Sequence, residues 1–201
     1  MNNYQRILDF WFEGATDTAT IDRGKTPFNK WFKSSPAFDH DIRRNFEEDF
    51  INARAGRYSD WENSPEGNLA LILCFDQFTR NMYRDTPQMY SADPLAQALA
   101  QQLVKKKFDL KLQLIERVFV YMPFMHAEDR GLQERSLKLF EELKETSAQT
   151  HPHTVSYYAY TFKYARQHAE IVSRFGRFPH RNKILGRAST SEEIAFLSNP
   201  S

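Results

Sequence analysis

The chain has 201 residues, of which 41% are hydrophobic, and it contains 17 Phe, 9 Tyr and 3 Trp. This content excludes intrinsic disorder, and the low counts of 7 Gly and 9 Pro exclude a collagen-like or low-complexity chain. A formal net charge of +1 gives no sign of a polyelectrolyte partner, and the single cysteine, Cys74, excludes an internal disulfide and every zinc motif that needs two cysteines. The first residues carry no apolar signal core, so we expect a cytoplasmic protein without a membrane segment.

The first half of the chain has the periodicity of α-helices. Apolar residues between Tyr4 and Phe12 recur at the i, i+3, i+4 spacing of one helix face. Ser35-Pro36 has the N-cap and first-turn residues of another helix, which Gly56 closes. Ser64-Pro65 opens a helix that is apolar on two sides, which predicts that this helix is buried.

The second half continues this periodicity. Asp93-Pro94 starts a helix. Leu95, Leu99 and Leu103 are predicted to face inward from it. Pro123 is predicted to end the next helix, because the residue before a proline disfavours helical backbone. The remaining predicted helices span about 112–122, 128–144 and 154–175, with a last short helix capped by Ser189 and Glu192.

The sequence therefore predicts one all-α domain over residues 1–201. No strand-like alternation extends beyond a few residues, and short connections between about eight or nine helices favour stacked antiparallel hairpins. The sequence pattern of tetratricopeptide repeats is absent, although the packing of the hairpins could be similar. The predicted core contains Trp11, Leu69, Leu73, Phe75, Phe78, Phe119, Phe140 and Phe162.

A first group of candidate site residues lies in the helix after Ser64. Asp76 and Arg80 are four residues apart, so they share one helix face, and they continue an apolar stripe that points inward. An inward ion pair needs further hydrogen bonds, which Gln77 and Asn81 can supply. A structural ion pair that closes the helix explains the same pattern.

A second group surrounds His126. This histidine precedes a predicted helix whose first turn contains Glu128 and Asp129. The positive end of that helix should favour the neutral imidazole, which is the form that a general base needs. Ordinary helix-start chemistry explains the two acids but does not require His126.

A third group is a basic loop between two predicted helices. No acid occurs from residue 171 to residue 190, and arginine side chains match planar oxyanions, so the loop could clamp a phosphate or a carboxylate. Its polar residues include Arg174, Arg177, His180, Arg181, Asn182, Lys183 and Arg187. A solvated basic patch or an RNA contact explains the loop as well. His168, in the preceding helix, either faces the same pocket or is a hydrogen-bonded core residue.

Three segments resemble a bacterial family known as domain of unknown function 924. They are Phe75-Asp76-Gln77-Phe78-Thr79-Arg80-Asn81, Pro123-Phe124-Met125-His126-Ala127-Glu128-Asp129 and Arg177-Phe178-Pro179-His180-Arg181-Asn182, in that order. The segments 8–12 and 30–32 are similar to the family too. The resemblance covers nearly the whole chain and implies an all-helical, tetratricopeptide-like fold, but it brings no activity.

The leading functional hypothesis is a pocket between helices for a small anionic ligand, with hydrolase or transferase chemistry. His126 is the candidate base, and Glu128 or Asp76 is the acid that orients it. The candidate ligand-binding residues are Arg80, Asn81, Arg84, Arg177, His180, Arg181 and Asn182. No metal and no cofactor is expected.

The alternative is a tetratricopeptide-like scaffold that binds a protein partner without catalysis. RNA binding is the weakest hypothesis, because a pI of about 7.9 falls short of a basic nucleic-acid footprint. If the three groups meet in one pocket, that arrangement supports the ligand hypothesis. If they are dispersed as separate buried pairs, it supports the scaffold hypothesis.

Overall fold

The computed structural model describes residues 4–18, 21–25, 27–33 and 35–198. This part of the chain forms helices and turns and contains no β-strand, which confirms the all-α class. The α-helices are α1 (Tyr4–Phe12), α2 (Phe28–Phe32), α3 (Pro36–Arg54), α4 (Pro65–Ile72), α5 (Thr79–Met82), α6 (Asp93–Lys105), α7 (Leu114–Met125), α8 (Arg130–Thr150), α9 (Val155–Phe175) and α10 (Ser191–Ser198).

Residues 65–82 form one continuous helical rod at the centre of the molecule. The π-helical segment Leu73–Phe78 follows α4 without a break and leads directly into α5. Every residue from 67 to 79 is buried, as the two apolar sides predicted. Ser64 caps the rod by accepting a hydrogen bond from the amide of Gly67. A Cβ at Gly67 would lie 2.3 Å from the carbonyl oxygen of Trp61, so only glycine fits this close approach.

The core is aromatic and joins elements that are distant in sequence. The Trp11 ring lies 5.5 Å from that of Phe119 and 5.7 Å from that of Phe78, between ring centroids. Seven of the eight predicted core residues are buried, whereas Phe162 is only partly buried. Leu95 was predicted to face inward, and this is wrong: its exposed fraction is 41%, because it lies beside the inward stripe of Leu99 and Leu103.

The predicted end of the helix before Pro123 is wrong. α7 continues to Met125 with Pro123 inside it. The proline lies in the last turn, where backbone hydrogen bonds still close the helix from His126 to Met122 and from Ala127 to Phe124. The next helix, α8, begins at Arg130 rather than at residue 128, because Asp129 is its N-cap and accepts a hydrogen bond from the amide of Leu132.

The last helices show one confirmed boundary and one correction. α9 ends at Phe175, and Gly176 follows in the left-handed conformation with φ of 71°. The capping box of α10 lies one residue later than predicted. Thr190 and Glu193 exchange the two capping hydrogen bonds, while the hydroxyl of Ser189 accepts one from Asn182.

α8 and α9 are joined by four residues and pack along each other as a helical hairpin. Other contacts join elements far apart in sequence, such as α1 with α4 and α3 with α5, so tetratricopeptide-like stacking stays a prediction. No helix over the described ranges has the length and apolarity that crossing a membrane requires.

Candidate functional site

A cleft of about 420 Å³ opens where the helical rod, α7, α9 and the basic loop come together. A polar set lines it, consisting of Lys33, Gln77, Arg80, Asn81, Arg84, Tyr90, His126, Tyr160, Thr161, Tyr164, His168, His180 and Arg181. An apolar set consists of Trp31, Phe32, Met89, Met122, Met125 and Phe140. Segments from all three predicted groups therefore meet at one place.

The π-helical segment places Asp76 directly behind this cleft. Asp76 is 1% exposed, and its carboxylate accepts hydrogen bonds from the side-chain amide of Gln77 and from Nδ1 of His126, the latter at 2.8 and 3.1 Å. His126 is the C-cap of α7. π-helical turns recur at functional sites, because they change the direction of side chains within a helix.

The pair of Asp76 and His126 fixes the state of both groups. Burial alone raises the pKa of Asp76. The charge of Arg80 and the contacts with His126 and Gln77 outweigh burial, and they hold the pKa of this carboxyl well below its usual range. Burial, with the charge of Arg80, lowers the pKa of His126 even though Asp76 acts to raise it. The imidazole is therefore neutral at pH 7, with its proton on Nδ1 and Nε2 free to accept another.

Arg80 and Arg181 flank His126 and share one carboxylate. Nη1 of Arg80 lies 3.2 Å from Oδ1 of Asp76 and 2.9 Å from Oδ1 of Asp93. Arg181 approaches Oδ2 of Asp93 to 3.2 Å and donates to the backbone oxygen of His126 at 2.9 Å. The Tyr90 ring lies 5.7 Å from the Arg80 guanidinium and 4.5 Å from that of Arg181. Both guanidiniums are therefore held in fixed positions.

Arg84 and Asn81 extend the polar wall toward solvent. Arg84 binds Asp39 with two hydrogen bonds of 2.6 and 2.8 Å, and its Nη2 also donates to Oδ1 of Asn81 at 3.3 Å. His180 lines the cleft beside Phe178, with 5.6 Å between ring centroids.

Besides Asp76, which lies behind the cleft, three predicted site residues lie outside its lining. The sequence hypothesis offered Glu128 as one of two acids that could orient His126, and Glu128 does not have this position. Its carboxylate binds Arg187 through two hydrogen bonds of 2.6 and 2.9 Å. Arg177 binds Glu193, and the buried Asn182 donates to the same carboxylate. These three residues hold the basic loop in place and do not face the cleft.

Sequence reasoning left His168 and Tyr164, which share one helix stripe, undecided, and it did not assign Asp93, Tyr90 or Tyr160 to the site. His168 lines the cleft, with its Nδ1 2.9 Å from the backbone oxygen of Tyr164 and its ring centroid 6.2 Å from that of His126. Asp93 carried only the signal of a helix start. Tyr160 and Tyr164 are four residues apart on one face of α9, which was the available signal for them.

The cleft combines an imidazole that a carboxylate orients with neighbouring guanidiniums. Among the described residues, no group of three His, Cys, Asp or Glu side chains has the arrangement of a metal site. Cys74 is buried, and burial raises the pKa of its thiol, so it is not a nucleophile for this cleft. We take His126 as the candidate base, because Asp76 orients it and Arg80 and Arg181 lie beside it.

Comparison with known proteins places the chain in a family. The sequence model of a family described as "Bacterial protein of unknown function (DUF924)" matches residues 7–201, and the chain belongs to this family. A solved structure of a protein of unknown function, ATU0120 from Agrobacterium tumefaciens, is 35% identical over 96% of each chain, with a TM-score of 0.79. No curated protein matches. The resemblance seen in the sequence is confirmed.

Proposed function

We propose that this member of the DUF924 family binds a small anionic ligand, a phosphate or a carboxylate, in the cleft. The lining is the observation that carries the proposal. Three arginines, one lysine and three histidines face the cleft, and no Asp or Glu is among the described residues that line it. The carboxylates of Asp39, Asp76 and Asp93 bind the arginines from outside that lining. An anion in the cleft would therefore meet the donors directly, while the acids that pair with these arginines lie outside the lining.

The arginines are suited to this role because their geometry is set before a ligand arrives. Arg181 is 6% exposed, and its Nε atom is buried without a hydrogen-bond partner in the part of the chain that the structure describes. Its capacity to donate is therefore not saturated by the protein. A guanidinium that is already ordered loses little conformational entropy when it binds an oxyanion.

Chemistry on the ligand would pass through His126. A water molecule or a ligand hydroxyl that gives its proton to Nε2 becomes a nucleophile, and Asp76 stabilises the imidazolium that forms. Arg80 and Arg181 would stabilise negative charge that develops on the ligand. This arrangement supports a hydrolase or a transferase acting on the bound anion.

The alternative function is a tetratricopeptide-like scaffold for a protein partner. In that case the cationic lining and the buried pair of Asp76 and His126 would stabilise the fold and bind no ligand.

The cytoplasm remains the proposed compartment, on the basis of the lone, buried Cys74.

The test is the thermal stability of the protein with phosphate, acetate and a chloride control of equal ionic strength. A ligand that binds the folded state raises the melting temperature by an amount set by RT ln(1 + [L]/Kd). We expect phosphate or acetate to raise it beyond the chloride control. In Arg181→Gln, and in the less buried Arg84→Gln, this increment should be reduced.

The matched control is Arg177→Gln. This variant removes a cation from the same loop, but its partner is Glu193 and it does not line the cleft, so the increment should stay. An anion response that is equal in the wild type, Arg181→Gln and Arg84→Gln would contradict the proposal. The absence of any response to either anion would favour the scaffold.

A further inference from the structure

We infer that the ligand of this cleft is an aryl acid, in which a flat apolar ring is joined to the anionic group. The inference rests on the proposed function and adds the class of compound that carries the anion. It follows from the part of the lining that the anion leaves unused: two aromatic residues of α2, two tyrosines of α9 and three methionines.

The volume of the cleft is the first observation. The cleft has a volume of about 420 Å³. A phosphate or carboxylate group alone fills a minor part of this space. Sites for small molecules occupy about 300–1,000 Å³ and are lined mainly by apolar and aromatic side chains around a few polar groups. The cleft therefore has room for a further apolar portion of the ligand.

The second observation is apolar surface that the protein leaves open at this place. Phe32 is 54% exposed and Tyr164 is 42% exposed, although both line a concave site. Aromatic surface that stays in contact with water in a concave site gains free energy when an apolar group covers it. Phe32 belongs to α2 and Tyr164 to α9, so a group that covers both must lie between these two helices.

The third observation favours a ring over an alkyl chain. The Tyr160 and Tyr164 rings are 4.7 Å apart between centroids at an interplanar angle of 58°, and their hydroxyl oxygens are 2.9 Å apart, which fixes the two rings as a tilted aromatic surface. Aromatic rings pack on such a surface in stacked or edge-to-face geometry, which adds to the gain from burial. Met122 and Met125 provide thioether contacts that suit the edge of a ring.

The anionic group and the ring would therefore contact different elements. Arg80, Arg181 and His126 come from the rod, the basic loop and the end of α7, whereas the exposed aromatic residues come from α2 and α9. One ligand that reaches both sets accounts for a lining that neither an inorganic anion nor a neutral hydrophobe explains alone.

Isothermal titration calorimetry with graded acids tests the inference. The phosphonates carry methyl, n-butyl and phenyl groups and resist hydrolysis, and the matching carboxylates are acetate, hexanoate and phenylacetate. We expect phenylphosphonate or phenylacetate to bind about tenfold more tightly than the methyl member of its series, and more tightly than the alkyl member. In Phe32→Ala and Tyr164→Ala this advantage should shrink by about threefold or more, while the affinity for the methyl member stays unchanged.

Leu110→Ala is the control, because Leu110 is 59% exposed and does not line the cleft. This variant should bind the phenyl member more tightly than the methyl member by the same factor as the wild type does. If the methyl and phenyl members bind equally, the inference is wrong and the proposed function still stands. If an alkyl member binds as well as the phenyl member, the claim that the apolar portion is an aromatic ring is wrong. Failure of all six compounds to bind would contradict the proposed function as well.

Discussion

The contact between Asp76 and His126 satisfies a buried carboxylate and orients the imidazole that we propose as a base. A carboxylate that is 1% exposed is tolerated only with charge partners and hydrogen bonds, and Arg80, Gln77 and His126 supply them. The same bond that satisfies Asp76 fixes the imidazole proton on Nδ1. From the sequence, a structural ion pair and a site role were alternative explanations for Asp76. In the structure the two are compatible.

We expect the free energy of unfolding to decrease as the pH falls from about 7.5 to about 5. Burial lowers the pKa of His126 below its ordinary value of 6.5, so the unfolded chain takes up this proton at a higher pH than the folded protein does. The contribution is present above about pH 6.5 and is lost as the pH falls toward the folded pKa. His168 acts in the same direction, because burial lowers its pKa as well.

Urea titrations at the two pH values check this expectation. His126→Gln should show a smaller decrease than the wild type, whereas His40→Gln, at an exposed position of α3, should show the same decrease as the wild type. Keeping the pH at or above about 5 leaves the carboxyl of Asp76 ionised, since its pKa is lowered. Equal decreases in the wild type and His126→Gln would show that the imidazole is not buried as described.

At the scale of elements, the sequence predicts what depends on near neighbours. Helical periodicity and the cap at Ser64 are local, and both match the structure. The π-helical segment Leu73–Phe78 was not predicted, because its widening depends on how the rod packs. Asp93 was not predicted to bind arginines, because its partners lie 13 and 88 residues away. Pro123 did not end α7 as predicted, because the helix stops at Met125 and the amide of His126 still closes its last turn on Met122.

The N-cap of α8 gives a prediction at this scale. Asp129→Ala removes the carboxylate that accepts a hydrogen bond from the amide of Leu132 at 2.8 Å, and it should lower the free energy of unfolding by about 1 kcal/mol. Glu134→Ala, at an exposed position in the same helix, should change it by less than about 0.5 kcal/mol. The urea midpoint measures both. A midpoint for Asp129→Ala that equals the wild-type value would contradict the cap.

For the whole molecule, the fold brings together segments that lie up to about a hundred residues apart and anchors the basic loop around them. Arg177 binds Glu193, Arg181 binds Asp93 and Arg187 binds Glu128, so carboxylates from three parts of the chain neutralise the loop. The loop is therefore not a loose solvated patch. The cations that face the cleft are held from outside its lining, which leaves the cleft itself without an acid among the described lining residues.

The most direct test is an NMR titration of the histidine side chains with phenylphosphonate. If the cleft binds the anion, the imidazole signals of His126 and His168 shift to saturation, and the pKa of His126 rises because the anion stabilises the imidazolium. The signals of His40 and His153, which are exposed and do not line the cleft, stay in place. Signals of His126 that do not move, or that move no more than those of His40 and His153, would contradict the account.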